Sequence, residues 1–254
     1  MNIGICAANE VGYELLDFVI DAQDWLDFNI SYVVTAELPY EEDIKALSID
    51  RGVNFKGTLS VNSDEFRQLN KDNNVDLVLL LWFPTIVKKE SIKSVKIGFI
   101  NLHPSMIPWN RGMHPYYWSL VDGTAAGTTI HFINENIDEG EILFQNEIRY
   151  NWTDTGGSVY QANLINTINL FKSNFERIIT SDYTTKVVDN SKGNFHLKKE
   201  LDKHSCLELD EKYTARDLLN RIRGRTFGNK GGTFFYDKGK KYFVSIKIEA
   251  ENEW

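Results

Sequence analysis

The sequence predicts an α/β protein with a mostly parallel sheet, followed by a smaller C-terminal α+β segment. Three observations carry this expectation. Through residues 1–182, short aliphatic runs bounded by turn residues alternate with stretches of helical periodicity, as in chains that build a parallel sheet. The run VDLVLLLW from Val75 to Trp82 is almost unbroken, which suits a strand buried on both faces. From Thr233 the segment TFFYDKGKKYFVSIKIE instead places two apolar-rich arms about a polar turn, the pattern of a β-hairpin.

Each element follows in order. Residues 2–8 (NIGICAA) form a first strand, and Val11, Leu15, Phe18 and Val19 share one face of a helix over 11–20. Ile30 to Ala36 is the next apolar run, 41–49 is charged on one side, and Val53 to Leu59 reads as a third short strand. Asp64 to Asn70 is helical, with Ser63 or Asn62 available as its cap. After Val75 to Trp82, a short strand from Ile97 to Leu102 feeds a loop carrying Pro104, Pro108 and Pro115. Fixed φ angles and missing donors make such a loop rigid and irregular. Pro115 to Val121 is a short helix, and Gly127 to Ile133 and Ile142 to Tyr150 are strands separated by the polar turn NENIDEG. Apolar residues at 165, 168, 171, 175, 178 and 179 line one face of a long helix from Thr155 to Thr180. That helix closes the first domain, so the expected division is 1–182 and 183–254. In the second part Thr214 caps ARDLLNRIR, and the hairpin turns at Asp237 to Lys240.

Composition narrows the function. The 254 residues are 42% hydrophobic and 25% charged, ordinary for a globular chain, and the net charge of −8 disfavours a nucleic-acid surface. Two cysteines imply no disulfide framework. No apolar run approaches the ~20 residues of a membrane span, so a cytoplasmic protein with neither membrane nor nucleic-acid partner is expected. The first strand turns through AANEVG, without the glycine fingerprint of a dinucleotide site. No P-loop, serine elbow or zinc-type His/Cys spacing occurs, and no metal is expected.

What remains is Asn101, His103 and Asp138. Asn101 and His103 are two apart at a strand end, so they leave on the same face. An amide donor, an imidazole and a carboxylate are what acyl transfer to an amine needs: oxyanion stabilisation, proton acceptance and control of the imidazole. Read from the residues alone, a structural alternative stands beside this one. Asn101 could cap the loop, His103 pack against Pro104, and Asp138 make the turn.

The run GFINLHPSMIP from Gly98, the R-G and P that follow it, then GTTIHF and IDEGEIL, closely resemble the core of the formyltetrahydrofolate-dependent formyltransferase superfamily. The resemblance implies a Rossmann-like catalytic domain with Asn101, His103 and Asp138 as the catalytic three. It implies N10-formyltetrahydrofolate as cosubstrate, its pteridine against Leu80, Trp82, Phe83, Pro84, Thr85, Ile133, Ile137 and Asp138. Members acting on tRNA carry a larger basic tail, and the glycinamide ribonucleotide enzymes a Gly-rich first turn. The short tail and the AANEV turn here are more similar to sugar-nucleotide N-formyltransferases. The acceptor implied is the amine of a dTDP-, UDP- or GDP-linked amino-deoxysugar for surface polysaccharide such as lipopolysaccharide, with Ser105, Trp109, Arg111, Gly112, Met113 and Tyr116 as candidate acceptor contacts. Another acceptor (an aminoacyl-tRNA or an amino acid), a formyltetrahydrofolate hydrolase and a non-enzymatic folate binder stand as alternatives.

Several residues keep two readings. Tyr117 and Trp118 could stack on the substrate but are better read as packing, and His114 and His131 as structural. Arg221, Arg223 and Arg225 are read as a solvated helix end before a phosphate site. The apolar hairpin (Phe234, Phe235, Tyr242, Phe243, Val244) could pair two subunits into a homodimer.

Overall fold

The computed structural model describes residues 1–251. In chain order the elements are β1 (Asn2–Ala7), α1 (Asn9–Asp21), β2 (Asn29–Val34), α2 (Glu41–Asp50), α3 (Asp64–Asp72), β3 (Leu77–Leu81), α4 (Lys89–Ile92), β4 (Gly98–His103) and β5 (Arg111–Gly112). There follow α5 (Pro115–Asp122), β6 (Ala126–Phe132), β7 (Ile142–Ile148), α6 (Gly156–Thr180), β8 (Phe195–His196), α7 (Lys198–Ser205), α8 (Ala215–Gly224), β9 (Thr226–Phe227), β10 (Lys230–Gly231), β11 (Thr233–Asp237) and β12 (Lys240–Val244).

Six strands make one sheet in the order β2-β1-β3-β4-β6-β7. β2, β1, β3 and β4 are parallel, and β6 runs antiparallel to β4. The mostly parallel α/β sheet predicted from the aliphatic runs is therefore present. All five residues of β3 are buried, as the run from Val75 requires. Ser63 Oγ accepts from the Phe66 N–H at 3.1 Å and Thr214 Oγ1 from the Asp217 N–H at 3.1 Å, so both predicted caps form. The segment from Val53 to Leu59 is a correction. It is no strand, since only Phe55 bridges to Val33, and Gly57 at φ 72° turns the backbone out of the extended region.

The chain resolves into two compact units. The first comprises Met1–His103, Thr129–Gln145 and Thr167–Val188; the second takes Pro104–Thr128, Asn146–Asn166 and the chain from Asp189 onward. No single cut separates them, because the later unit draws in two earlier stretches. In the first unit, Tyr32, Phe66, Val78, Leu80, Phe83 and Phe99 share one apolar cluster. In the second, α5 packs against α8, with Tyr117 and Trp118 buried beside Leu201. β11 and β12 pair antiparallel with Asp237 opposite Lys240, closing the hairpin at the predicted turn.

Candidate active site

β4 supplies two of the three candidate catalytic side chains. Period-two alternation puts Asn101 and His103 on one face, and the parallel register pairs Asn101 with Leu80. The two residues therefore stand at the carboxyl edge of the sheet, where open α/β sheets bind ligands. Antiparallel pairing with β6 sets His131 opposite Asn101 and Thr129 opposite His103.

Asp138 arrives from the turn after β6. Asn134 Oδ1 accepts from the Asn136 N–H at 2.9 Å, and Asp138 adopts φ 53°, a left-handed conformation that Asp tolerates better than most residues. A Cβ at Gly140 would run into the Phe132 carbonyl, so the turn closes only with glycine there. The Asp138 carboxylate then lies 3.5 Å from His103 Nδ1 through one oxygen and 3.7 Å from His131 Nε2 through the other. His103 is 6% exposed. The geometry brings together the three residues that the sequence singles out.

It adds a fourth. His131, expected to be structural, places Nε2 3.3 Å from Asn101 Nδ2 and Nδ1 2.8 Å from the Phe132 carbonyl. A nitrogen facing a carbonyl must carry the proton, so Nδ1 donates and Nε2 accepts from the Asn101 amide. Burial, opposed by Asp138 and reinforced by His103, pushes His131 down to about 4. The ring is thus a neutral acceptor at physiological pH. It fixes the Asn101 amide with one N–H spent and the other available to an oxyanion. Register with β4 makes this visible; alternation within β6 alone does not.

This burial has a consequence for stability. The unfolded imidazole takes up its proton as pH falls through its ordinary value near 6.5, while the folded one resists until about 4. Stability should therefore decline across that window by on the order of 3 kcal/mol. In urea unfolding from pH 7 to pH 4.5, His131→Gln should show a shallower decline than the unsubstituted chain. Equal slopes would remove His131 as the cause.

The folate candidates occupy varied settings. Trp82 takes φ 57° and is half-buried at the turn after β3, beside the sheet edge that bears Asn101. Pro84 is exposed, Thr85 half-buried, Ile137 38% exposed, and Ile133 packs partly against the core. Leu80 and Phe83 are the most deeply packed of these candidates. At 1% and 8% exposure their side chains belong to the apolar cluster beneath the turn, and the register sets Leu80 beside Asn101.

The acceptor candidates lie in the second unit. Trp109 and Met113 are exposed, Ser105 and Arg111 are buried, and Gly112 takes φ 86° within β5 beside β8. Tyr116 packs edge-on to Tyr160 and Phe227, and its hydroxyl meets His114 Nδ1 at 3.2 Å. Tyr117 and Trp118 are core, as the packing reading expects.

A cleft of about 710 Å³ in the first unit is lined by Gly98, Phe132, Ile133 and Glu141 among others. Gly98 begins β4, so this cleft opens at the opposite end of that strand from His103. Of the expected folate residues it contains only Ile133. Among the described residues, no group of three or more His, Cys, Asp or Glu could hold a metal ion, and no helix is long and apolar enough to cross a membrane.

Comparison with known proteins places the chain in a family. The formyl transferase family model matches residues 43–170, and a model described as the N-formyltransferase dimerization C-terminal domain matches 200–250. The chain belongs to the formyl transferase family. A dTDP-4-amino-4,6-dideoxyglucose formyltransferase from Mycobacterium bovis is 35% identical over 153 residues, covering 60% of this chain and 65% of that relative. The match thus spans just under two thirds of the curated relative's length. A solved Mycobacterium tuberculosis structure described as that of a "likely sugar N-formyltransferase" superposes with a TM-score of 0.80 at 28% identity, over 99% of each chain. A Helicobacter canadensis N-formyltransferase, solved with folinic acid and dTDP-3-aminofucose, gives a TM-score of 0.68 at 19% identity over 87% of this chain and 79% of that one. At that identity the likeness is one of fold.

Proposed function

We propose that the protein transfers the formyl group of N10-formyltetrahydrofolate to the amine of a nucleotide-linked amino-deoxysugar, a surface-polysaccharide precursor. The observation that carries this reading is the Asn101 amide held by neutral His131, with His103 and Asp138 beside it. The named substrate of the mycobacterial relative supports the acceptor class, and the folate-bound Helicobacter enzyme supports the donor. Bound formyltetrahydrofolate would supply the electrophilic carbonyl carbon. The free N–H of Asn101 fits the oxygen of that carbonyl, and the flat ring of Trp82 at the same sheet edge fits a pteridine.

The residues divide the work as follows. Asn101 steadies the oxygen as charge develops on it. His103, with Asp138 at Nδ1, presents Nε2 to take the amine proton as the amine attacks. The amine attacks directly, so no covalent enzyme intermediate is required. The loop that follows His103 in the chain, Trp109 to Trp118, chooses the acceptor. The deciding experiment presents the protein with formyltetrahydrofolate and a panel of dTDP-, UDP- and GDP-linked amino sugars. A formamido sugar formed from one of them supports the reading. Formate released without any amine acceptor would instead mark a hydrolase.

A homodimer joined through the hairpin is part of the same proposal. Tyr236 and Phe243, which share one face of the hairpin with Phe234, are 54% and 62% exposed, an apolar surface that a partner copy would cover. Phe243→Glu is expected to shift sedimentation from dimer toward monomer without loss of folded signal. An unchanged sedimentation coefficient would place the interface elsewhere.

A further inference from the structure

The basic run Arg221, Arg223 and Arg225 contains one residue that is no solvated helix end. Arg223 is 5% exposed. Its Nε donates to Asn220 Oδ1 at 2.9 Å, and its Nη1 donates to the carbonyls of Asn151 at 2.7 Å and Asp154 at 3.2 Å. All three acceptors are neutral, and Nη2 takes no part in these bonds. The acid on the same helix, Asp217, pairs with Arg221 at 3.1 Å instead. A buried guanidinium whose hydrogen bonds all go to neutral oxygens is an expensive arrangement; burial pushes its proton affinity down, and the nearby Tyr150 and Asp154 offset only part of that.

Arg223 lines a cleft of about 350 Å³ in the second unit. Arg216, Asn220 and Arg223 stand at i, i+4 and i+7 of α8 and so share one face of the helix. Trp152 is the aromatic wall, with its ring 5.1 Å from the Arg216 guanidinium and 4.6 Å from that of Arg223. Tyr150 also lines the cleft, but its hydroxyl is already spent on the carbonyls of Ser119 and Thr124. Asp122 is the acid on the wall, and its carboxylate is engaged by Asn194 Nδ2 at 2.7 Å and His196 Nε2 at 3.1 Å. Two guanidiniums therefore face the cleft with no carboxylate paired to either among the described residues. The volume is at the lower end for a small-molecule site.

We propose that this cleft is a second ligand site, taking the phosphate group of a small phosphorylated molecule on Arg216 and Arg223 beside the ring of Trp152. Planar guanidinium forks match phosphate oxygens, and two of them suit a dianion better than a single carboxylate. None of the wall residues belongs to the candidate catalytic set, so the site is independent of the formyl-transfer reading. The test follows the Trp152 indole N–H resonance of the full chain, identified by its loss in Trp152→Phe. Sodium phosphate and then dTDP are titrated at constant ionic strength. The expected result is a saturable shift with half-saturation in the roughly millimolar range or tighter, weakened about tenfold or more in Arg216→Glu by like-charge repulsion. Arg216 is exposed, so this substitution leaves the internal bonds of Arg223 in place. Tighter saturation by dTDP assigns the site to nucleotides and equal saturation to any phosphate; both uphold it. A shift that never saturates, or that saturates equally in Arg216→Glu, overturns it.

Discussion

Replacing His103 by alanine is expected to lower kcat by about 10²–10⁴-fold, while folate affinity read by calorimetry stays close to that of the unsubstituted chain. The imidazole is held at the edge of the sheet with Asp138 at Nδ1, which leaves Nε2 as the group that meets the amine proton. Alanine removes that acceptor but no surface on which a pteridine would rest. Asn101→Ala should lower kcat by about 10²–10³-fold, the usual effect of losing one oxyanion donor. Because the two residues act in one transition state, the double substitution should be little slower than the worse single one. Near-normal turnover in either single variant would remove that residue from the chemistry.

How much of this was legible without coordinates depended on whether the signal was local. The β3 run and the Ser63 and Thr214 caps were readable because each is decided within a few residues by burial or by one side-chain hydrogen bond. The same holds for Asn101 and His103, whose common direction follows from strand alternation alone. His131 was read as structural because its role depends on the register between β4 and β6, which period-two alternation leaves open. Arg223 was misjudged for a related reason. Its acceptors include carbonyls 69 and 72 residues earlier in the chain, and a charge run gives no hint of them. The pairing of β5 with β8 joins Arg111 to Phe195 through strands of two residues each, too short to leave a periodic trace. Burial depth at Leu80 is equally non-local. Its register partner is Asn101, on the same face of the sheet, yet its side chain is buried in the apolar cluster with Val78 and Phe99, a depth of burial that the aliphatic run does not grade.

Asp138→Asn is expected to have an effect as large as the loss of His103, about 10³–10⁴-fold in kcat, with little change in fold. Asparagine has nearly the same shape and tolerates the left-handed backbone that Asp138 adopts at φ 53°, so the turn before Gly140 should survive. What changes is the proton on His103. A carboxylate 3.5 Å from Nδ1 holds the proton there and leaves Nε2 as a base. An amide in its place can turn its NH₂ toward Nδ1, which favours the tautomer protonated at Nε2 and takes the base away. The same substitution removes the charge that favours the His131 proton, so His131 should resist protonation still further in acid. Two measurements separate these effects from damage to the fold. Urea unfolding at pH 7 should be nearly unchanged in Asp138→Asn, and kcat should fall without a matching rise in the KM for folate. If instead KM rises while kcat holds, Asp138 binds the donor and His103 works without it.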